Sequence, residues 1–250
     1  MEIGAEKVTP YEGDCRDKGE QVRDMFDNIA PAYDFMNRAM TLGIDKLWRA
    51  KAVGLIKKHL GADSPATILD VATGTGDLAI LLARKLPQAT VTGIDLSEGM
   101  VSIGRDKVEK AKLGCRISLE VGDCLQLPFA DNTFNCVTVA YGVRNFAHLD
   151  QGYRQMLRVL KPGGMLCVIE LSTPTSPLVK PLYKLYTGSL IPLAGRLVSR
   201  DVSAYSYLPQ SIAAVPQGNA MTALIAECGF TNARFQPLTF GVCTIYTATK

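Results

Sequence analysis

One stretch of the sequence, residues 67–78, restricts the possible folds of the chain more than any other. An apolar, β-branched run over residues 67–69 ends at Asp70, passes through a turn with Gly74 and Gly76, and continues as the apolar stretch 78–83. This pattern predicts a buried strand, a loop and a buried helix. Glycines let the backbone approach a ligand closely, and the following helix points unpaired N–H groups at it. The stretch therefore predicts a binding loop for a nucleoside-bearing ligand.

The spacing of this loop indicates which class of ligand it binds. A dinucleotide-binding loop needs glycine at all three positions of G-x-G-x-x-G, and the loop here reads Asp70-x-Ala72-x-Gly74-x-Gly76. An acid at the strand end would repel a diphosphate and attract an ammonium group. S-adenosylmethionine (SAM), with its sulfonium and amino groups, suits such a loop. The alternative is a glycine-rich turn in an α/β enzyme of another kind.

Length and composition favour one globular α/β domain. A chain of 250 residues has room for a large core and a small helical addition. The net charge of +3 is dispersed, so we expect no nucleic-acid partner. The seven cysteines lack C-x-x-C spacing, which favours reduced thiols and no metal site. Neither a signal peptide nor a membrane span is recognisable, so we expect a cytoplasmic protein.

Helical patterns come before the first predicted strand. We expect a mobile arm up to about residue 18, then a helix from Glu20 that Pro31 interrupts, a second piece ending at Gly43, and a third helix over about 45–60. These helices lie outside the α/β alternation. They are predicted to cover the ligand site, with core packing as the alternative.

Acids stand at the ends of the next two predicted strands. The strand 90–95 ends at Asp95, and Ser97 is a good N-cap for the next helix. Asp95 lies about 20 residues past the glycine turn, the offset at which an acid accepts hydrogen bonds from the ribose hydroxyls in Rossmann-like folds. The alternative is an acid that interacts favourably with the dipole of the next helix at its N-terminus. Asp123 follows strand 117–121, where it would accept from an adenine amino group or cap a turn.

The second half of the chain alternates and then becomes irregular. A nearly apolar strand over 135–140, a helix over about 149–160 stopped by residues 161–164, and a strand over 165–170 are predicted. From Leu171 scattered prolines interrupt an apolar stretch, which we interpret as a substrate-side lid with short helices near 182–186 and 190–198. A helix over about 218–228 and an antiparallel pair of strands, 232–236 and 241–247, finish the chain.

Six motifs together resemble the UbiE/MenG family of SAM-dependent C-methyltransferases, over nearly the whole chain after residue 20. They are Phe26-x-x-Ile29-Ala30-x-x-Tyr33-Asp34-x-Met36-Asn37, Gly43-Ile44-Asp45-x-Leu47-Trp48-Arg49, the glycine loop 69–77, Leu127-Pro128-Phe129-x-Asp131-Asn132-x-Phe134, Gly142-x-Arg144-Asn145 and Leu160-Lys161-Pro162-Gly163-Gly164. The resemblance implies an α/β fold: a Rossmann-like, seven-stranded class I methyltransferase sheet with helices on both faces, an N-terminal helical cap and an apolar lid before the last two strands. The single domain 1–250 divides into an arm (1–19), a cap (20–61), a cofactor core (62–170), a lid (171–217) and a closing helix with strands (218–250).

The resemblance also implies a set of site residues. Together with the strand-end positions, the cofactor contacts are expected at Asp70, Gly74, Thr75, Gly76, Asp95, Leu96, Asp123, Cys124 and Ala140. Two of the positions in this region depart from the family pattern, Thr73 where many members have glycine and Ala140 where some have serine. The catalytic group is expected to comprise Tyr33, Asp34, Arg144 and Asn145.

The family reaction implied by the resemblance adds a methyl group to a ring carbon of a reduced, prenylated quinol such as demethylmenaquinol. Arg144 is expected to stabilise an aromatic oxyanion, with a salt bridge to Asp123 or Glu170 as the alternative. Asp34 is the candidate base; the alternative for Tyr33 and Asp34 is that they cap or brace the N-terminal helices. The apolar lid predicts peripheral contact with the inner face of a membrane, where Lys180, Lys184, Arg196 and Arg200 would meet anionic head groups. The alternative for these four residues is that they are solvated charges on a lid.

Several alternatives stay open at this point. The acceptor is a naphthoquinol, a benzoquinol or another small molecule, and a homodimer is neither favoured nor excluded. A non-catalytic SAM-binding factor in quinone synthesis is a further hypothesis. A dehydrogenase is disfavoured by the glycine pattern.

Overall fold

The sheet of this protein, in a computed structural model that describes residues 4–61, 63–185 and 203–250, confirms the predicted α/β class. The strands are β1 (Ala66–Val71), β2 (Ala89–Asp95), β3 (Ile117–Val121), β4 (Phe134–Ala140), β5 (Leu160–Leu171), β6 (Thr231–Leu238) and β7 (Cys243–Thr249). Within the described residues these seven strands form one sheet in the order β3-β2-β1-β4-β5-β7-β6. Strands β1 to β5 are parallel, and β7 runs antiparallel to both β5 and β6.

Helices cover both faces of this sheet, as predicted. They are α1 (Gly4–Lys7), α2 (Lys18–Thr41), α3 (Asp45–Leu60), α4 (Asp77–Lys85), α5 (Glu98–Lys110), α6 (Leu149–Val159), α7 (Val179–Leu185), α8 (Ser203–Ala214) and α9 (Asn219–Glu227), with 3-10 turns at Val143–Asn145 and Thr239–Gly241. One apolar core packs α3, α4 and α5 on the sheet, and a second packs α6 and α9 on the other face. Strands β1 and β4 are buried on both faces, which explains their nearly continuous apolar sequences.

Pro31 does not interrupt the N-terminal helix, so that prediction is wrong. Helix α2 is continuous from Lys18 to Thr41 with Pro31 inside it. Met25 and Ile29 before the proline and Met36 after it are buried in one apolar cluster. This shared tertiary packing offsets the cost of an internal proline, which is about 3 kcal/mol.

Residues 161–164 also differ from their predicted role as the end of a helix. Helix α6 ends at Val159, and β5 already begins at Leu160. The chain terminus explains the longer strand, because Gly163 N donates to Lys250 O and Lys250 N donates to Gly164 O, both at 3.0 Å. A partner 86 or more positions away in the sequence cannot be anticipated from the local pattern.

The N-terminal segment, expected to be mobile, contacts the body of the domain. The Lys18 ammonium donates to Ala5 O at 2.6 Å and to Arg144 O at 3.0 Å, and burial lowers the pKa of Lys18 to about 8. Leu149 N donates to the Glu6 carboxylate at 2.9 Å. Of the predicted lid helices, the first corresponds to α7, and the one near 190–198 lies outside the described residues.

Candidate active site

A crevice of about 440 Å³ crosses the carboxyl ends of the parallel strands. The chain proceeds from β1 outward to β2 and β3, then returns to place β4 on the other side of β1, so the crevice lies at the topological switch point where ligands bind in open α/β sheets. We call it the sheet-edge crevice. Its lining includes Phe26, Tyr33, Gly74, Asp95, Leu96, Asp123, Cys124, Ala140, Tyr141 and Asn145.

The loops after β1 and β4 are held in unusual backbone conformations where they meet this crevice. Ala72 has φ 51° and Tyr141 has φ 61°, values that non-glycine residues rarely adopt. A Cβ atom added to Gly142 would lie 2.6 Å from the Cβ of Ala72, so the two loops touch at a point where only glycine fits. Such strain persists where surrounding structure enforces it, and functional sites are where it concentrates.

Asp95 ties the glycine loop to the end of β2. Its carboxylate accepts from Gly74 N at 2.8 Å and from Ser97 N at 3.0 Å. Ser97 is the N-cap of α5, as predicted, and accepts from Met100 N at 3.1 Å. Burial raises the pKa of Asp95, against the backbone N–H groups of Ser97, Gly74 and Leu96, which lower it. The carboxylate lies in the crevice with Asp123, so the structure brings these two predicted contacts together.

Asp70, by contrast, lies beneath the loop and does not line the sheet-edge crevice. It is 1% exposed, and its carboxylate accepts from Thr73 Oγ1 at 2.7 Å and from Thr138 Oγ1 at 2.6 Å. Burial raises its pKa to about 6, from an ordinary 3.8. Of the three strand-end acids expected to contact the cofactor, Asp95 and Asp123 therefore lie in the crevice, and Asp70 lies behind it.

The raised pKa of Asp70 predicts a pH dependence of stability. Because the folded state binds this proton more tightly than the unfolded state, stability should fall as the pH rises from about 4 through 6. We compare the unfolding free energy of Asp70→Asn with that of wild type at each pH. The difference, variant minus wild type, should increase by about 1 kcal/mol between pH 5.0 and 7.5. Urea unfolding at the two pH values measures it, with the exposed Asp106→Asn as control; a gain independent of pH would contradict the assignment.

Thr75 and Asp34 belong to a charged cluster beside the glycine loop, outside the lining of the crevice. Thr75 Oγ1 donates to Asp34 Oδ1 at 2.6 Å, and Lys107 Nζ donates to Asp34 Oδ2 at 2.7 Å and to Thr75 Oγ1 at 2.9 Å. Lys107 also pairs with Asp77, in the first turn of α4. We call Asp34, Thr75, Asp77 and Lys107 the latch cluster. The cluster joins α2 to the glycine loop and to α5. Gly76, next to Thr75, is the N-cap of α4 and packs close to Leu119.

The latch cluster predicts that Lys107 controls how firmly α2 covers the loop. For Lys107→Met we expect unfolding free energy to fall by about 1–2 kcal/mol, faster amide exchange in α2 over residues 30–37, and SAM affinity to weaken about fivefold. The control is Lys110→Met, which removes an exposed charge from the same helix. Equal exchange in both variants would show that Lys107 does not hold α2.

Arg144 follows β4 and is paired within the protein. Its Nη1 donates to Glu170 Oε1 at 2.8 Å and to the carbonyl of Tyr141, and its backbone N donates to Glu170 Oε2 at 3.3 Å. Both residues are buried, at 6% and 1% exposure. Burial opposes the charge of Arg144 most strongly, but Glu170, Tyr33 and Tyr207 together outweigh it, and the pKa of Arg144 lies above its usual value. The salt bridge with Glu170, considered as the alternative role, is thus formed.

Two further cavities adjoin this arginine. A cavity of about 340 Å³, which we call the apolar cavity, is lined mainly by Met40, Leu42, Ile44, Trp48, Arg49, Tyr141, Arg144, Leu171, Tyr183, Leu208, Ile212 and Val242. A cavity of about 50 Å³, the small cavity, is lined in part by Tyr33, Arg144, Asn145 and Tyr207. Tyr141 lines both the sheet-edge crevice and the apolar cavity, so the two spaces meet at this residue.

No role for Lys107 or for Tyr141 was predicted from the sequence. Lys107 belongs to no recognisable motif, and its partners lie 30 to 73 positions away. Tyr141 stands directly before the motif Gly142-x-Arg144-Asn145, which is the pattern that would have drawn attention to it. Within the described ranges, no group of three or more His, Cys, Asp or Glu side chains suits a metal ion. No helix in that part of the chain is long and apolar enough to cross a membrane.

The chemistry of the sheet-edge crevice fits SAM. Its charged lining residues are Asp17, Glu20, Arg23, Asp95 and Asp123, so carboxylates outnumber the guanidinium. A site with this balance favours a cationic ligand over a diphosphate. The volume lies within the range of cofactor pockets, which is about 300–1,000 Å³.

Comparisons with known proteins also indicate a methyltransferase. The model of the ubiE/COQ5 methyltransferase family matches residues 15–250. A demethylmenaquinone methyltransferase of Bacteroides fragilis is 50% identical over 250 residues, which is 100% of both chains. The corresponding protein of Porphyromonas gingivalis is 46% identical, covering 98% of each chain. A ubiquinone/menaquinone biosynthesis C-methyltransferase UbiE of Geobacter sulfurreducens is 45% identical, covering 98% of this chain and 93% of its own.

Solved structures share the fold at low sequence identity. A SAM-dependent methyltransferase from Aquifex aeolicus matches with a TM-score of 0.57 and 18% identity, over 78% of this chain and 88% of its own. Phosphoethanolamine N-methyltransferase 2 of Haemonchus contortus, solved with SAM, matches with a TM-score of 0.61 and 15% identity, over 80% and 52%. These neighbours establish the class of fold.

Proposed function

The chain belongs to the ubiE/COQ5 methyltransferase family, and we propose that it methylates the ring of demethylmenaquinol in menaquinone synthesis. It is a SAM-dependent C-methyltransferase of quinone biosynthesis. The choice of a naphthoquinol rests on the relatives at 50% and 46% identity, which are named for demethylmenaquinone, whereas the name of the relative at 45% covers both quinones. Methylation of a 2-polyprenyl-benzoquinol is the second candidate.

We assign the cofactor to the sheet-edge crevice. Asp95 is proposed to accept from the ribose hydroxyls and Asp123 from the adenine amino group, while Gly74, Leu96, Cys124 and Ala140 form the walls. Asp70, Thr75 and Gly76 support the loop from behind, since their contacts lie within the protein. When bound, SAM supplies a methyl group carried on a positively charged sulfur.

Arg144 is proposed to stabilise the acceptor's ring oxyanion. An arginine paired with a buried carboxylate stays charged, so it favours a developing negative charge and cannot act as a base. Asn145 offers a buried Oδ1 with no partner among the described residues, suited to a ring hydroxyl. Tyr33 lines both the crevice and the small cavity and would exclude water. Asp34 stays our sequence-based candidate for the base, although its contacts with Lys107 and Thr75 favour a role in the latch cluster.

The observation that carries this proposal is an apolar cavity that meets the crevice at Tyr141. A prenylated ring needs apolar space next to the methyl donor, and the apolar cavity supplies it. The test is methyl transfer to reduced demethylmenaquinol and to the benzoquinol precursor, with products identified by mass spectrometry. We expect a higher kcat/KM for the naphthoquinol. A preference for the benzoquinol, or transfer to neither, would contradict the proposal.

We also propose contact with a lipid surface at the mouth of the apolar cavity. Leu42, Leu178 and Phe240 are 82%, 83% and 80% exposed, and each lines this cavity or directly adjoins a residue that does. Arg38, Lys46 and Lys180, near these positions in the sequence, would favour anionic headgroups.

Vesicle flotation tests this contact. We expect wild type to float with vesicles rich in anionic lipid, and the double variant Leu42→Glu/Phe240→Glu to lose at least about tenfold of that binding, because two charges would enter the apolar layer. The control is Ser102→Glu, an exposed position on α5. Unchanged flotation of the double variant would place any lipid contact elsewhere.

A further inference from the structure

The buried polar atoms that lack a partner are concentrated in one region. Within the described residues there are four: Tyr141 Oη, Arg144 Nε, Asn145 Oδ1 and Tyr207 Oη. All four belong to residues that line the sheet-edge crevice, the apolar cavity or the small cavity. Proteins pair nearly all buried polar groups, so unpaired ones gathered at a cavity indicate a ligand that supplies the missing partners.

Tyr141 differs from the other three in its position. It lines the two large spaces at once, and it is only 8% exposed. The guanidinium carbon of Arg49 lies 5.4 Å from the centroid of its ring, and the ring of Trp48 packs edge-on at 6.5 Å. The backbone of Tyr141 has φ 61°, and the contacts with Arg49 and Trp48 hold its ring.

Among the residues that the structure describes, the hydroxyl of Tyr141 has no hydrogen-bond partner. Two other buried tyrosines do have one: Tyr153 Oη contacts Met221 Sδ at 3.2 Å, and Tyr246 Oη accepts from Gly218 N at 2.9 Å. Burial holds the pKa of Tyr141 well above its usual value, so the hydroxyl keeps its proton and is a hydrogen-bond donor. Phenylalanine would fill the same apolar surroundings without leaving a polar atom unpaired.

We propose that the Tyr141 hydroxyl donates a hydrogen bond to a ring oxygen of the quinol acceptor, which places the ring where the sheet-edge crevice meets the apolar cavity. The inference rests on the proposed function, since the acceptor must carry an oxygen on an apolar ring. It assigns Tyr141 a role in recognising the acceptor, distinct from the stabilisation of charge by Arg144. Selectivity for oxygenated rings follows, because an apolar cavity alone does not distinguish a quinol from a hydrocarbon of equal shape.

The experiment uses Tyr141→Phe and a pair of ligands. Trp48 is the one tryptophan of the sequence and lines the apolar cavity, so its fluorescence reports binding without turnover. We would titrate short-chain demethylmenaquinol, kept reduced, and a prenylated naphthalene without ring oxygens into wild type and variant. We expect the variant to lose about tenfold in affinity for the quinol, the value of one buried hydrogen bond, and nothing for the hydrocarbon.

Two further readouts separate this role from a structural one. Tyr141→Phe should fold as stably as wild type or better, because it removes an unpaired buried hydroxyl, and its Kd for SAM should not change. The control Tyr246→Phe, which breaks a bond to Gly218 N, should lose stability and keep its affinity for the quinol.

The outcomes are distinct for the two proposals. Equal losses for both ligands, no loss for either, or no fluorescence response of wild type to the quinol would overturn the role of Tyr141. Absence of methyl transfer by wild type, with the selective loss of quinol affinity intact, would overturn the proposed reaction and leave the ring contact standing.

Discussion

Replacing Arg144 by methionine together with Glu170 by glutamine should leave a folded protein that binds SAM but transfers methyl groups about 10²- to 10³-fold more slowly. The rate loss follows from removing a fixed cation beside the oxyanion that forms on the ring, since losing one such electrostatic contact costs about this much. Single-turnover kinetics with demethylmenaquinol measure the rate, and calorimetry measures the SAM affinity.

The second substitution is needed because Arg144 and Glu170 form a buried pair. Their side chains are 8% and 2% exposed and lie 2.8 Å apart. Removing one partner of such a pair costs about 3–5 kcal/mol of stability, because it leaves an unpaired buried charge. Replacing both partners by uncharged residues often changes stability little. Arg144→Met alone should therefore fail by unfolding, and the double variant separates folding from catalysis.

The outcome also separates an enzyme from a SAM-binding factor. Lost turnover with retained SAM affinity supports Arg144 as a catalytic residue. A double variant that turns over at the wild-type rate would show that Arg144 serves only the structure. Arg144→Lys provides the intermediate case: it keeps the charge but loses the planar guanidinium, so we expect partial activity.

The features that the sequence predicted correctly depend on neighbours close along the chain. The strands end at Asp95 and before Asp123 because short apolar runs stop there, and Ser97 caps α5 through a contact three residues away. Parallel strands bring their carboxyl ends to one edge, so acids 28 positions apart in the sequence share a crevice. The local sequence pattern and the general topology of parallel sheets were therefore sufficient to predict the positions of these residues.

The features that the sequence did not predict depend on distant partners. Helix α2 continues through Pro31 because Met25 and Met36 share a cluster with Met100 and Tyr207, which no local pattern reveals. Asp34 binds Lys107, 73 positions away, instead of facing the crevice. Asp70 turns inward because Thr138 on the neighbouring β4 donates to it at 2.6 Å. In each case a contact between elements decides the course of a helix or the orientation of a side chain.

Asp95→Asn should weaken SAM binding about 100-fold, with little change in kcat at saturating SAM. A charged acceptor forms hydrogen bonds with hydroxyls that are worth about 1.5–3 kcal/mol each, and the amide replaces one acceptor oxygen by a donor. That donor would also face Gly74 N or Ser97 N, which now donate to the two carboxylate oxygens at 2.8 Å and 3.0 Å.

Two comparisons make the Asp95 result specific. Asp123→Asn removes the acceptor on the adenine side, where only one hydrogen bond is proposed, so its loss should be about tenfold. Asp106→Asn on the exposed face of α5 carries the same change in charge and should leave the Kd for SAM unchanged. Isothermal titration of SAM and of S-adenosylhomocysteine gives all three values. Equal losses for Asp95 and Asp106 would mean that only the net charge matters, and the assignment of Asp95 to the ribose would then be wrong.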